Sequence, residues 1–287
     1  MKKLIINADD LGADEARNAG IFEAIREGSV TSVSILANGP ALEDGLRGIT
    51  FLGNKKISFG IHLNLSEGIP LVSGLRQLTG PEGCFLGKAR THELLSQPRG
   101  RDLEGEIQQE LDAQVRVLEK AGIPISHLDG HQHVHLFPAA VRAAVNLARG
   151  HRIPWIRLPQ EPDPDPENAR IGFPLLQEGR NFSGMAKATR VHLNETGIRT
   201  TDHFRGLYLK GRFSLSSLIE SLENLPEGLT ELMVHPGRVP PTSTSNPFSH
   251  FSTLDREKEL DSLLAMGFRK ALAERGIDLV LFPELES

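Results

Sequence analysis

A chain of 287 residues, 39% hydrophobic and 24% charged, has ordinary globular proportions, which argue against a disordered protein or a coiled coil. Lysine and arginine number 32 against 37 acids, a formal net charge of −5 with the signs mixed, so nucleic acid is not an expected partner. The one cysteine, Cys84, has no disulfide partner in the chain and no thiolate neighbours to share a metal, which fits a reducing cytoplasm.

Lys2 and Lys3 precede Leu4-Ile5-Ile6, but Asn7, Asp9 and Asp10 cut that run well short of a signal-peptide core. No run approaches the roughly 18 apolar residues of a membrane span. Residues 4–8 instead predict a strand buried on both faces, ending abruptly in Asp9-Asp10-Leu11-Gly12. Asp14 and Glu15 suit a first helical turn, Ala16, Ala19, Phe22 and Ile25 give a stripe, and Gly28 ends it. Residues 32–36 read as a second strand and 57–62 as a third, which finishes on His62. The stretch 64–101, with many glycines and prolines, is expected to be a lid or binding loop.

An amphipathic helix over 103–121 follows, carrying Leu103, Ile107, Leu111, Val115 and Leu118 on one face. Then comes His127-Leu128-Asp129-Gly130-His131-Gln132-His133-Val134-His135, with four of the chain's eleven histidines in nine residues. If extended, it sets His127, Asp129, His131, His133 and His135 on one face at about 6.6 Å intervals. No single ion binds such a row. Some members would bind metal with ligands from elsewhere, and the others would support the ligands or face the substrate. The plain alternative is a solvated, histidine-rich turn.

Residues 138–149 predict a helix, 155–158 a strand, and 159–180 a second irregular loop. A weak strand end at 201–204 precedes a helix at 215–225. A strand over 229–235 closes on His235, a third loop covers 236–253, and a helix at 255–275 leads to a last strand at 277–282. Seven or eight strand–helix units predict an α/β fold, a single barrel-like (β/α) domain over 1–287 of distorted TIM type. A doubly wound open sheet is the alternative.

In such a barrel Asp9, Asp10, His62, His131 and His235 converge at the C-terminal strand ends. Two histidines and a carboxylate suit a catalytic divalent ion, and Asp10, His62 and His131 are assigned as ligands, with His133 next in line. Magnesium is less natural with imidazole. The expected cofactor is one divalent ion, Mg2+ or Zn2+, with Mn2+ or Co2+ as further candidates. Asp9 is the candidate general base and His235 the candidate general acid. The plain readings are an N-cap pair for Asp9-Asp10 and a buried turn cap for His235. His92, His151, His192 and His250 are read as solvated.

These residues resemble the YdjC-like carbohydrate deacetylases, which include chito-oligosaccharide deacetylase and a hopanoid-biosynthesis-associated branch. The resemblance rests on Asn7-Ala8-Asp9-Asp10-Leu11-Gly12, Gly60-Ile61-His62-Leu63, the histidine segment continuing into Leu136-Phe137-Pro138, and Met233-Val234-His235-Pro236-Gly237. Leu11 stands where the family usually has Phe. The resemblance implies a barrel related to polysaccharide deacetylases, a divalent metal on the residues matching Asp10, His62 and His131, and removal of acetyl from an N-acetylated sugar. Arg157-Leu158-Pro159 and Asp202-His203-Phe204 look like further family segments. Asp129, His133, Arg157, Asp202 and His203 are thus expected to contact substrate or support the ligands.

One Trp and one Tyr are few for a long sugar cleft, so a short or lipid-linked amino sugar is the expected substrate. A homodimer is left open. The competing readings are a phosphoesterase with two metals about 3.5–4 Å apart and a metal- or sugar-binding protein without turnover.

Overall fold

The computed structural model describes residues 1–97, 100–164, 171–193, 196–240, 248 and 252–283. Its strands are β1 (Lys2–Leu11), β2 (Ser32–Ile35), β3 (Ser58–Leu63), β4 (Ile125–Gly130), β5 (Trp155–Ile156), β6 (His203–Arg205), β7 (Gly228–Val234) and β8 (Ile277–Leu279). The helices are α1 (Glu15–Arg26), α2 (Leu42–Thr50), α3 (Lys88–Leu95), α4 (Arg101–Lys120), α5 (Val141–Gly150), α6 (Phe173–Leu193), α7 (Leu215–Glu223), α8 (Leu254–Leu264) and α9 (Met266–Glu274).

Leu4, Ile5, Ile6 and Ala8 are fully buried, as a strand covered on both faces requires, and β1 is the spine of the sheet. It pairs with β7 from Lys2 to Ala8, while its other edge is shared between β8 at Lys2–Leu4 and β2 at Asn7–Leu11. The strand order is β5-β4-β3-β2-β1-β7-β6, and every strand pairing is parallel. Beyond β5, Trp155 is bridged to Arg199, ahead of β6, so the curled sheet nearly closes on itself. Parallel pairing sends every C-terminal strand end to one face, which is where the chain carries its acids and histidines. Among the described residues no helix is long and apolar enough to cross a membrane.

The segment expected to be a lid, 64–101, is held in place. It contains α3, and much of the rest is gripped by one face of α4. Glu106 accepts the amides of Arg76, Gln77 and Leu78 at 2.9, 2.9 and 3.2 Å, and Glu110 accepts those of Leu71 and Val72 at 3.1 and 2.8 Å. Gln114 exchanges two hydrogen bonds with the Asn64 main chain at 2.9 and 2.6 Å. These side chains recur every fourth residue, so they share a face, while Leu103, Ile107, Leu111, Val115 and Leu118 are buried on another.

Several expectations are corrected. β4 stops at Gly130, and residues 131–136 form a 3-10 turn in which Gln132 and His133 take φ of 52° and 58°. The polar row therefore breaks after Asp129. Helix α6 starts inside the stretch expected to be irregular, and α2 was not anticipated. The expected long final helix is two, parted at Ala265, whose ψ of 134° is extended. Most of the third loop, at 241–247 and 249–251, lies outside the described residues.

Close backbone contact fixes α1 against the segment after β7: a Cβ on Gly20 would lie 2.5 Å from Gly237 Cα. Gly20→Ala should therefore lower stability by about 1–3 kcal/mol, seen as a lower urea midpoint. Gly184→Ala, in α6 where nothing lies within 4 Å of the new methyl, should raise it by about 0.5–1 kcal/mol in the same measurement.

Candidate metal centre and active site

Asp10 is a non-glycine residue at φ 70°, and the β1–β2 register shifts between Ala8 and Leu11. The chain thus bends at Asp10 itself and aims Asp9 and Asp10 at different partners. Neither caps α1, whose N-cap is Asp14. Asp10 Oδ1 lies 2.9 Å from His131 Nδ1 and 3.2 Å from His62 Nε2, and the donor atoms of all three lie within 4.8 Å of one another. Donors about 2.1 Å from one ion at 90–110° stand about 3.0–3.4 Å apart, so the Asp10 distances suit a shared cation. Burial opposes a charged Asp10, but His131, His62 and Arg17 outweigh it and hold its carboxyl well below the usual range.

Asp9 is held from the other side. Arg157, fully buried just beyond β5, donates to Asp9 through both terminal nitrogens at 2.6 and 2.7 Å, to Asp129 at 2.7 Å and, through Nε, to Glu231 at 2.7 Å. Asn7 adds a bond to Asp9 Oδ1 at 2.7 Å. Asp129 also faces His62 Nδ1 at 2.7 Å and accepts from Ser34 at 2.6 Å, so it orients the ring whose other nitrogen faces Asp10. Burial disfavours a charged His62, yet the Asp129 and Asp9 carboxylates win and raise it to about 10. Burial, reinforced by Asp129 and Asp9, pushes Glu231 up to about 7 against the pull of Arg157. Once His62 gives up its proton, the carboxylates of Asp9, Asp10 and Asp129 outnumber the guanidiniums of Arg157 and Arg17, a charge balance that fits a cation bound in the proton's place.

Asp9, His62 and Asp129 form a second close group, but Arg157 already contacts both of its carboxylates, so it does not resemble a second ion site. His235 lines the same cavity, its Nε2 3.9 Å from Asp9 Oδ2, while its main-chain amide donates to Glu259 at 2.6 Å. His133 is buried and also lines the cavity, its ring centroid 4.5 Å from that of Phe182.

Asp202 and His203 are elsewhere. Asp202 accepts the Leu229 amide at 2.8 Å and His203 faces the Glu227 carbonyl at 3.1 Å. His203 is level with Thr230 and Leu4, six residues before Asp10 along β1, or roughly 20 Å from the site. They tie the opposite end of the sheet together, away from the metal group and the cavity where contact with substrate or ligands is expected of them. His92 is not solvated either: it packs on Phe137 and its Nε2 faces the Gln132 carbonyl at 3.1 Å. His151 bridges Asp112 and Glu119 at 2.9 and 2.8 Å. His192 is exposed, and His250 lies outside the described residues.

Two site residues escaped the sequence reading. Arg17, from α1, is buried and donates to Asp10 Oδ2 at 2.8 Å. Glu231 had a signal in an acid amid the buried strand 229–235; Arg17 had none. The cavity over these groups is about 330 Å³, near the lower end for small-ligand sites. Phe182, Leu207, Leu209 and Phe213 supply an apolar part of the lining of the same cavity, and Phe182 packs on His133.

The model of the YdjC-like protein family matches residues 3–274. A carbohydrate deacetylase of Mus musculus is 34% identical over 99% of this chain and 95% of its own length. A chitooligosaccharide deacetylase of Proteus mirabilis is 29% identical over 98% of each. A crystal structure from Enterococcus faecalis, of a protein named for cellobiose-phosphate cleavage, superposes with a TM-score of 0.73 at 24% identity, covering 98% of this chain and 97% of that one, and so supports the fold. The chain belongs to the YdjC-like protein family.

Proposed function

We propose that the chain is a metal-dependent hydrolase that removes acetyl from an N-acetylated amino sugar, short or lipid-linked. The observation that carries this reading is the Asp10–His62–His131 group beside Asp9 in one cavity, in a chain whose relatives are named carbohydrate deacetylases. When bound by Asp10, His62 and His131, a divalent cation polarises an amide carbonyl and acidifies water. Mn2+, Co2+ and Zn2+ suit this donor set better than Mg2+.

The protein's own groups handle the protons. Asp9, fixed by Arg157 and Asn7, takes a proton from the attacking water. The departing amine needs a proton in return. Burial and the Arg256 guanidinium hold His235 down to about 3 despite Asp9 and Asp10, so it is neutral at rest and brings no proton of its own. The proton gained by Asp9 is therefore the one His235 passes to the amine; the 3.9 Å between Asp9 Oδ2 and His235 Nε2 is closed for that relay by one water or a small turn of the imidazole. Asp129 acts through His62, and among the described residues the second close group, Asp9–His62–Asp129, has both its carboxylates engaged by Arg157, which does not favour the phosphoesterase reading.

Asp10→Ala and His131→Ala should lose Zn2+ and acetate release together, measured by metal analysis after dialysis and by acetate assay on N,N′-diacetylchitobiose. Asp9→Asn should keep the metal and lose turnover by about 10²–10⁴-fold; a near-normal rate would remove Asp9 as the base. Metal bound but no acetate released by the unaltered protein would favour a binding role.

A metal entering this site must displace the proton on His62. Because that pKa is raised to about 10, the competing proton is present below that pH and absent above it. Zn2+ affinity should therefore fall about tenfold per pH unit between pH 9 and pH 7, with about one proton released per ion, read by calorimetry in buffers of different ionisation enthalpy.

A further inference from the structure

The strap 159–164 carries Glu161, which the proton path above does not use. Glu161 is 9% exposed, and its Oε2 accepts the Leu207 amide at 2.7 Å. Its main chain is fastened to α6, where Ser183 Oγ donates to Glu161 O at 3.0 Å and accepts Glu161 N at 3.1 Å. Two residues on, Asp163 accepts from Arg180 of α6 at 2.8 Å and from the Tyr208 hydroxyl at 3.2 Å. Gly179 of α6 leaves no room for a Cβ beside the Tyr208 ring.

The strap therefore joins α6 to the 3-10 turn Leu207–Leu209, and those two elements supply Phe182, Leu207 and Leu209 to the apolar lining of the cavity. So short a turn satisfies few of its own leading amides and depends on an outside acceptor. Burial pushes the Glu161 carboxyl up to about 7 against the pull of Arg205 and the Leu207 amide, so the cap is kept in place at the expense of its own solvation.

We propose that Glu161 is a positioning residue: by capping the Leu207 amide at the start of the turn it fixes the apolar lining against which the non-reacting part of the substrate lies. Glu161 thereby sets substrate affinity without entering the chemistry. The inference rests on the deacetylase reading for its substrate. It requires the lining to be in contact with that substrate and the turn to depend on the carboxylate.

The test uses Glu161→Gln in the Zn2+-loaded chain. The substitution keeps the volume but replaces one acceptor oxygen with an amino group beside the Leu207 amide. Hydrogen exchange over a peptide spanning 204–211 should quicken, and KM for N,N′-diacetylchitobiose should rise about tenfold with kcat within about twofold. Zn2+ affinity should not move. Glu161→Asp, which restores the charge on a shorter arm, should recover part of the KM, and Asp163→Asn should change it by less than Glu161→Gln. Unchanged exchange, an unchanged KM, or a loss confined to kcat would overturn the proposal. Failure of the deacetylase reading shows differently, as no acetate from the unaltered chain. The calorimetric Kd for diacetylchitobiose then replaces KM, and equal values for the two proteins overturn the proposal.

Discussion

One guanidinium holds the interior of this sheet together at its functional end. Arg157 meets Asp9 from β1, Asp129 from β4 and Glu231 from β7, all of them buried. Buried carboxyl groups need a counter-ion of this kind, and losing one partner of such a cluster typically costs about 3–5 kcal/mol. The planar fork suits the task, because it binds Asp9 through two nitrogens and still reaches two other acids. Stability and function therefore share their atoms here: the group that neutralises the buried acids also aims the proposed base, and through Asp129 it reaches His62.

The bend at Asp10 complements that cluster. A straight strand would point Asp9 and Asp10 to opposite faces. With φ at 70°, Asp10 faces the imidazoles while Asp9 faces Arg157, and both remain in one cavity. A non-glycine residue in that conformation stores strain, which persists only where surrounding contacts hold it. Arg17, His62 and His131 are those contacts.

Much of this was legible in the chain because apolar runs that stop at acids or histidines mark strand ends in a parallel sheet. That signal led to Asp10, His62 and His235, and the density of histidines at 127–135 led to His131, so the four come from separate parts of the sequence. Other features left little trace. Helix α6 buries Gly179, Phe182, Ala186, Thr189 and Leu193, a set too small and mixed to read as an apolar stripe. The left-handed residues Gln132 and His133 have no compositional mark, so the histidine segment read as a longer strand than it is. Asp202 and His203 sit in a segment of family type, yet strand register, which pairs residues distant in sequence, puts them at the wrong end of the sheet.

The grip of α4 on the preceding loop has a mechanical corollary. Glu106, Glu110 and Gln114 act as evenly spaced pegs, and the loop they secure includes Glu67, which reaches Gln132 beside the cavity at 3.1 Å. One residue inserted between the first and last peg would rotate the remainder of the helix by about 100° and carry Gln114 off the loop. The helix is therefore a ruler, and the phase of residues 106–114 along it is fixed by the segment that runs directly into it.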